Sequence, residues 1–329
     1  MLENRIGEIA ALATAICWTA TALAFEAAGR RIGSLAVNII RLAIAFLVFC
    51  VLSMIVRGAP VPVDAAPRVW FWLSLSGIVG FVLGDLFLFQ AFILIGSRVS
   101  MLIYASVPPL TAALGWLVLG ESLNVRGFVG MVLTLAGIAV VILQRSVPAS
   151  GSDTDVVTGS RLAVPRGLPD ALADRRPGTR ARVGFTHPVR GILYAFGGAL
   201  GQAGGLVLSK LGAPTYDAFG ATQIRGIAGI IGFALIVTVA RRWKPILDAL
   251  RNLRAMTQVS VGAFFGPFLG VSLGLYAVQH TSTGIASTIM ALTPVLIIVP
   301  SVLVLKQRVT LREIGGAVLA VGGTALLFL

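Results

Sequence analysis

The sequence predicts an all-α integral membrane protein of ten transmembrane helices, arranged as two inverted five-helix repeats. Three observations carry that expectation. The 329-residue chain is 57% apolar and 12% charged, whereas soluble domains run at roughly 45–50% apolar and about 25% charged. Its apolar residues gather into ten runs of membrane-spanning length. Its second half repeats its first. Too few polar side chains remain to cover a soluble globule, and the mean hydropathy of +0.94 agrees. A soluble enzyme, a disordered chain and a secreted disulfide scaffold are thereby excluded.

A bilayer core about 30 Å thick needs roughly 20 apolar residues at a 1.5 Å rise. Runs of that kind fall at 8–27, 35–56, 70–94, 99–119 and 127–144, then at 191–209, 218–240, 256–279, 284–304 and 313–329. They are continuously apolar, without the ten-residue alternation of a barrel strand, so helices are expected. Gly80-x-x-x-Gly84, Gly201-x-x-x-Gly205 and Gly266-x-x-x-Gly270 have the spacing that lets helices approach closely in lipid. No small-x-small cleavage site with a polar region after it follows the first run, so it is expected to remain as a span. Residues 145–189 are rich in Arg, Pro, Gly, Ser and Asp and read as a flexible linker. It separates a first repeat at 1–144 from a second at 190–329. Cys17 and Cys50 lie inside apolar runs and read as small core residues.

Sliding the second half onto the first gives the repeat. NIIRLAIAF (38–46) falls on TQIRGIAGI (222–230), which places Arg41 on Arg225. GFVLGDLFLFQAF (80–92) falls on GPFLGVSLGLYAV (266–278), and the register then continues through Pro108 on Pro294, Arg126 on Arg312, Gly130 on Gly316 and Gly137 on Gly323. Shared hydrophobicity does not align Arg, Pro and Gly. Five crossings per half is an odd number, so the second half enters the membrane inverted. Inverted repeats are the architecture of secondary transporters, with a substrate site near the midplane between the halves.

The two stretches LVLGESLNVRGFVGMVLTLAGIAVVIL (117–143) and LVLKQRVTLREIGGAVLAVGGTALLFL (303–329), with the aligned Arg41 and Arg225 and the Trp18 of AICWTATALAF, resemble the EamA domains of the drug/metabolite transporter superfamily. The resemblance covers nearly all of the chain outside the linker. It implies export or exchange of a small metabolite, often an amino acid or a related compound, without ATP hydrolysis. The sequence departs from the pattern in two places. Glu121 stands in the Gly-Glu ending of the fourth helix but its repeat partner is Gln307, and the linker is long and arginine-rich.

Ionisable groups at membrane depth cost roughly 2.5–3.5 kcal/mol each on the insertion scale and so need a reason. Asp85, flanked by Leu83, Leu86 and Phe87, is the deepest carboxylate. It would bind a substrate ammonium, exchange a coupling proton, or pair with a neighbouring helix. Arg41 and Arg225 stand at matched depths, either meeting a substrate carboxylate or Asp85, or anchoring their helices by snorkelling. Gln90 aligns with Tyr276, and with Trp18, Gln202 and Tyr104 these are candidates to line a mixed polar and aromatic cavity. Glu26 and Lys210 occupy equivalent places with opposite charges. Pro108-Pro109 and Pro294 are expected to kink the fourth and ninth helices.

Neither His187 nor His280 has partners at metal-ligand spacing, so no metal site and no cofactor are expected. No G-x-x-x-x-G-K-[ST], H-E-x-x-H or G-x-S-x-G run is present, and the chain is not expected to be an enzyme. The net charge of +13 raises nucleic-acid binding as a possibility. Mapping the charge removes that reading. Apart from Arg41 and Arg225, 19 basic residues follow odd-numbered runs and five follow even-numbered runs or precede the first. The positive-inside rule then places both termini outside, whereas the resemblance implies cytoplasmic termini.

The expected protein is a multi-pass secondary transporter of the cell membrane. Its partners would be the lipid bilayer, a small organic substrate and a proton or other coupling ion, with no nucleic acid. Its rivals are a polyspecific drug or cation exporter, a membrane-embedded enzyme acting on lipids, and a non-transporting receptor or scaffold.

Overall fold

A computed structural model describes residues 5–120, 125–145, 183–185, 188–280, 289–303 and 309–328. Helix α1 spans Ile6–Ile32 and α2 spans Ser34–Arg57. They are separated by Gly33 alone, whose φ of +82° is one that a side chain would oppose. Helix α3, Pro67–Gly77, runs through a π-helical turn, Ile78–Gly84, into α4, Asp85–Tyr104. The chain separates the expected third and fourth runs at Gly96, where φ is +79° and ψ is 158°. Then come α5 at Val107–Leu114, a second π turn at Gly115–Leu119, and α6 at Val125–Ile142.

The second half supplies α7 at Val189–Gly212 and α8 at Ala218–Val239. A short amphipathic helix α9, Trp243–Leu250, comes next, in a stretch where no span is expected. Helix α10, Leu253–Ala263, passes through a π turn at Phe264–Gly270 into α11, Val271–His280. The chain ends with α12 at Thr293–Leu296, α13 at Ile298–Leu303 and α14 at Leu311–Phe328. Six helical stretches are long and apolar enough to cross a membrane, and Val107–Leu119, Val125–Val141 and Thr293–Leu303 are shorter apolar helices. The count of ten full spans is not reached among the described residues.

The expected linker lies mostly outside the described residues, as do Glu121, Gln307 and His187. Its flanks pair as a short antiparallel ladder, Leu143–Arg145 with Val183–Phe185. Pro108, Pro109 and Pro294 do not kink continuous helices. They sit in the first turns of α5 and α12, where a missing N–H costs little because it has no helical acceptor.

The repeat is written in the elements themselves. An offset of 186 carries the π turn Ile78–Gly84 onto Phe264–Gly270, the start of α4 onto that of α11, and both ends of α6 onto both ends of α14. The repeat partners α6 and α14 run antiparallel. Gly137 of α6 lies against Gly316 and Ala320 of α14, while Gly323 lies against Gly130 and Thr134. Thr134 Oγ1 donates to the carbonyls of Gly130 at 2.9 Å and Ala320 at 3.3 Å.

Two further interfaces are equivalent and cross between the halves. Helix α7 packs on α3 and its π turn, with Gly201 on Gly84, Gly205 on Gly80, and Ser209 Oγ 2.7 Å from Ser76 Oγ. Helix α1 packs on α10 and its π turn, with Trp18 on Gly270, Thr21 on Gly266 and Phe25 on Gly262. The main apolar cluster joins Phe25, Val37, Phe89 and Phe92 to Phe233, Val237 and Val259. Leu47, Val51, Leu117, Phe128, Leu193, Ile231 and Val318 face outward, as side chains bathed by lipid do.

A Cβ on Gly137 would stand 2.6 Å from Ala320 N and from Gly316 O. Gly137→Val is therefore expected to destabilise the protein by about 1–3 kcal/mol through overpacking. Gly315→Val, which meets nothing within 4 Å, should leave stability near wild type. Thermal unfolding of the two detergent-solubilised variants measures the difference.

Candidate functional site

The residues that carry charge into the apolar interior converge on one place. Asp85 opens α4 directly after the π turn, and Arg41 stands about two turns into α2. Both are buried, and Arg41 Nη2 donates to Asp85 Oδ2 in an ion pair. A pair out of water holds only when its remaining hydrogen-bonding groups are also met. Asn38 meets one of them on the guanidinium and is itself held by main-chain carbonyls. Its Oδ1 accepts from Arg41 Nε at 3.1 Å, and its Nδ2 donates to Asp85 O at 3.3 Å and Ser34 O at 3.1 Å. The guanidinium also lies 4.6 Å from the centre of the Phe89 ring and 5.6 Å from that of Phe25, within the range of cation–π attraction.

Arg225 of α8 comes to the same region from the second half. It lies 4.6 Å over the Phe81 ring and within electrostatic reach of Asp85. Tyr104, at the end of α4, is within electrostatic reach of Asp85, Arg41 and Arg225. Gln202 borders this group across Gly80. An ideal Cβ at Gly80 would lie 3.1 Å from Arg225 Nη2 and 3.6 Å from Gln202 Oε1. The structure thus gathers Asp85, Arg41, Arg225 and Tyr104, with Gln202 alongside.

The other three sequence candidates make different contacts. Gln90 accepts a hydrogen bond from Ser34 Oγ at 2.8 Å. Trp18 packs on Gly270. Tyr276 stacks on His280 at 3.8 Å and packs with Ala10, Ala11 and Ala277. No group of three potential metal ligands exists among the described residues.

Sequence reasoning missed Asn38 and the phenylalanines that seat the guanidinium groups. The signal was spacing. Asn38 precedes Arg41 by three residues and Phe89 follows Asp85 by four, so each shares a helix face with its partner. The role of Glu26 was also missed. Its buried carboxylate accepts from Ser97 N at 2.6 Å and from Arg30 at 2.9 and 3.1 Å. It therefore satisfies a backbone donor that the break at Gly96 leaves without a helical acceptor. Its repeat partner Lys210 is exposed.

A second polar cluster ties the halves together at the opposite end of α2. Arg57 donates to Asp64 at 2.9 Å, to Tyr216 Oη at 3.2 Å, and to Asp217. Tyr216 donates in turn to Asp64 at 3.1 Å. Burial raises the Tyr216 phenol above its usual range, against the pull of Arg57, so it stays protonated as a donor. Asp217 also caps α8 by accepting from Gly220 N at 2.8 Å.

A family model, that of the EamA-like transporter family, matches residues 5–143 and 189–329. A solved crystal structure superposes with a TM-score of 0.59 over 97% of this chain and 95% of its own, at 17% identity. At that identity the likeness is one of fold. A search of curated proteins gave no match.

Removing one member of a buried pair strands the other, at a cost of about 3–5 kcal/mol, whereas replacing both by apolar groups of similar size is often neutral. Arg41→Met alone should therefore lower stability by about that amount. The double variant Arg41→Met/Asp85→Leu should recover most of the loss. A double-mutant cycle of unfolding midpoints that includes Asp85→Leu alone tests this; single losses that simply add in the double variant would show that the pair is not coupled.

Proposed function

The chain belongs to the EamA-like transporter family, and on that premise we propose that it is a secondary active transporter of the cell membrane. In this reading it moves a small organic metabolite, in the direction of export, by alternating access. Each half contributes five spans, and the two halves are inverted relative to one another. The substrate meets the protein at the group formed by Asp85, Arg41, Arg225 and Tyr104. The observation that carries the reading is this buried charge centre, to which both halves contribute an arginine.

The arrangement has a chemical consequence. Asp85 is already engaged by Arg41, so a proton or substrate cation must compete with a guanidinium for the carboxylate. Winning that competition frees Arg41 and loosens the contact between α2 and α4. Ligand binding is then coupled to the packing of helices, as alternating access requires. The glycine contacts between α7 and α3, and their equivalents between α1 and α10, join elements of opposite halves. They are the surfaces on which one half would rock against the other. A polyspecific cation exporter fits less well, because it needs a carboxylate free to accept many cations.

Purified protein in proteoliposomes should show flux of at least one member of a metabolite library, altered by an imposed pH gradient. Asp85→Asn should abolish that flux while membrane levels stay normal. Unchanged flux in this variant would remove Asp85 from the mechanism.

A further inference from the structure

Arg41 and Arg225 are repeat partners, yet their surroundings differ in one respect. Arg41 uses Nε and Nη2, the two nitrogens on one edge of its guanidinium, to reach Asn38 Oδ1 and Asp85 Oδ2. The residues at the corresponding places in the second half are Thr222, where the first half has Asn38, and Val271, where it has Asp85. Thr222 and Val271 carry no amide or carboxylate acceptor. The same two nitrogens of Arg225, Nε and Nη2, are buried without a hydrogen-bond partner, although the residue is only 7% exposed. The guanidinium lies over the Phe81 ring at 4.6 Å, a contact that gives those edge donors no acceptor.

We propose that this edge of Arg225 is the binding site for the carboxylate of the transported substrate. The assignment rests on the transporter reading and names the class of its substrate. Nε–H and Nη2–H are parallel and spaced to match the two oxygens of a carboxylate, the same fork that Arg41 presents to its own acceptors. A buried guanidinium with two orphaned donors is costly, and a ligand carboxylate that supplies both acceptors removes that cost. The charge count agrees. Arg41, Asp85 and Arg225 together carry one net positive charge, which one carboxylate neutralises. A small organic anion meets this requirement in full; an amino acid supplies the carboxylate but brings its own ammonium, and a simple amine supplies no carboxylate. Gly80 beside Nη2 keeps the edge clear, because a Cβ there would approach it to 3.1 Å.

The test is thermal unfolding of the full chain in lipid nanodiscs, titrated with carboxylates from acetate to phenylalanine, with their matched amines, and with methyl phosphate. Carboxylates are expected to raise the unfolding midpoint and the amines are not. In Arg225→Gln the carboxylate-dependent rise should vanish, while the ligand-free midpoint should stay level or increase because an unmet buried charge is gone. Arg225→Lys keeps the charge without the fork, and should need at least tenfold more carboxylate for half the effect. The proposal is overturned if amines stabilise as well as carboxylates, or if only methyl phosphate stabilises. It is also overturned if no carboxylate stabilises, or if the effect survives in Arg225→Gln. Flux measurements separate the two readings. Flux without a carboxylate effect overturns this assignment alone, and Arg225-dependent carboxylate binding without flux overturns the transporter reading alone.

Discussion

Apolar side chains gain nothing by leaving lipid for a helix interface, so helices in a bilayer must be held by close contact and by polar groups. The glycine contacts of this protein arise from that constraint. Gly84 on Gly201, Gly80 on Gly205, and Gly137 on Gly316 bring backbones together where side chains would hold them apart. The same rule explains why hydroxyls sit at these seams. Ser76 donates to Gly205 O at 2.6 Å and Thr134 to Ala320 O at 3.3 Å, each satisfying a polar group that lipid cannot serve. Helices joined in this way form a frame tight enough to hold charges away from water.

Charge within that frame is then a matter of partners. Arg41 and Asp85 neutralise each other only because Asn38 bridges them and the rings of Phe25 and Phe89 cover the guanidinium. The π turn at Ile78–Gly84 contributes as well. A π turn adds about one residue to a helix and rotates the next helical segment by about 100°. Asp85 is the first residue after this turn, so its direction is set there. The matching turn at Phe264–Gly270 delivers Val271 instead, which places an apolar residue at the corresponding point.

Six long apolar helices, the repeat register and the three buried charges were legible in the sequence because each is a strong departure from a uniform background. Arg41 on Arg225, and Gly130 and Gly137 on Gly316 and Gly323, align without knowledge of the fold. The break at Gly96 was visible as the gap between two apolar runs. Partner identity was less legible, and Gln90 shows why. Five residues at 100° each put it about 140° around the helix from Asp85, whereas Phe89 lies only about 40° away. Polarity selected Gln90 as a candidate and passed over Phe89, although spacing puts Phe89 on the face of Asp85 and Gln90 on another. The π turns were illegible, since no local residue pattern announces an extra residue in a helix. So was the cap that Glu26 gives to Ser97, which joins residues 71 apart in the chain.

Duplication of one repeat unit would at first give each half the same residues, and the departures from symmetry are where specialisation becomes visible. Both halves retain the arginine, at Arg41 and Arg225, so the cation is common to the two. At this place one half alone has a carboxylate, Asp85, and an amide, Asn38, that accepts from the arginine and donates to the Asp85 main chain. Had both halves kept an acid, each guanidinium would be satisfied internally and the centre would have no unmet donor to offer a ligand. Had neither kept one, two unpaired cations would face each other in a medium that barely screens them. One acid for two arginines lies between these limits. It holds the frame closed through one pair and leaves a single positive charge, from the other half, whose counterpart must arrive from outside the chain.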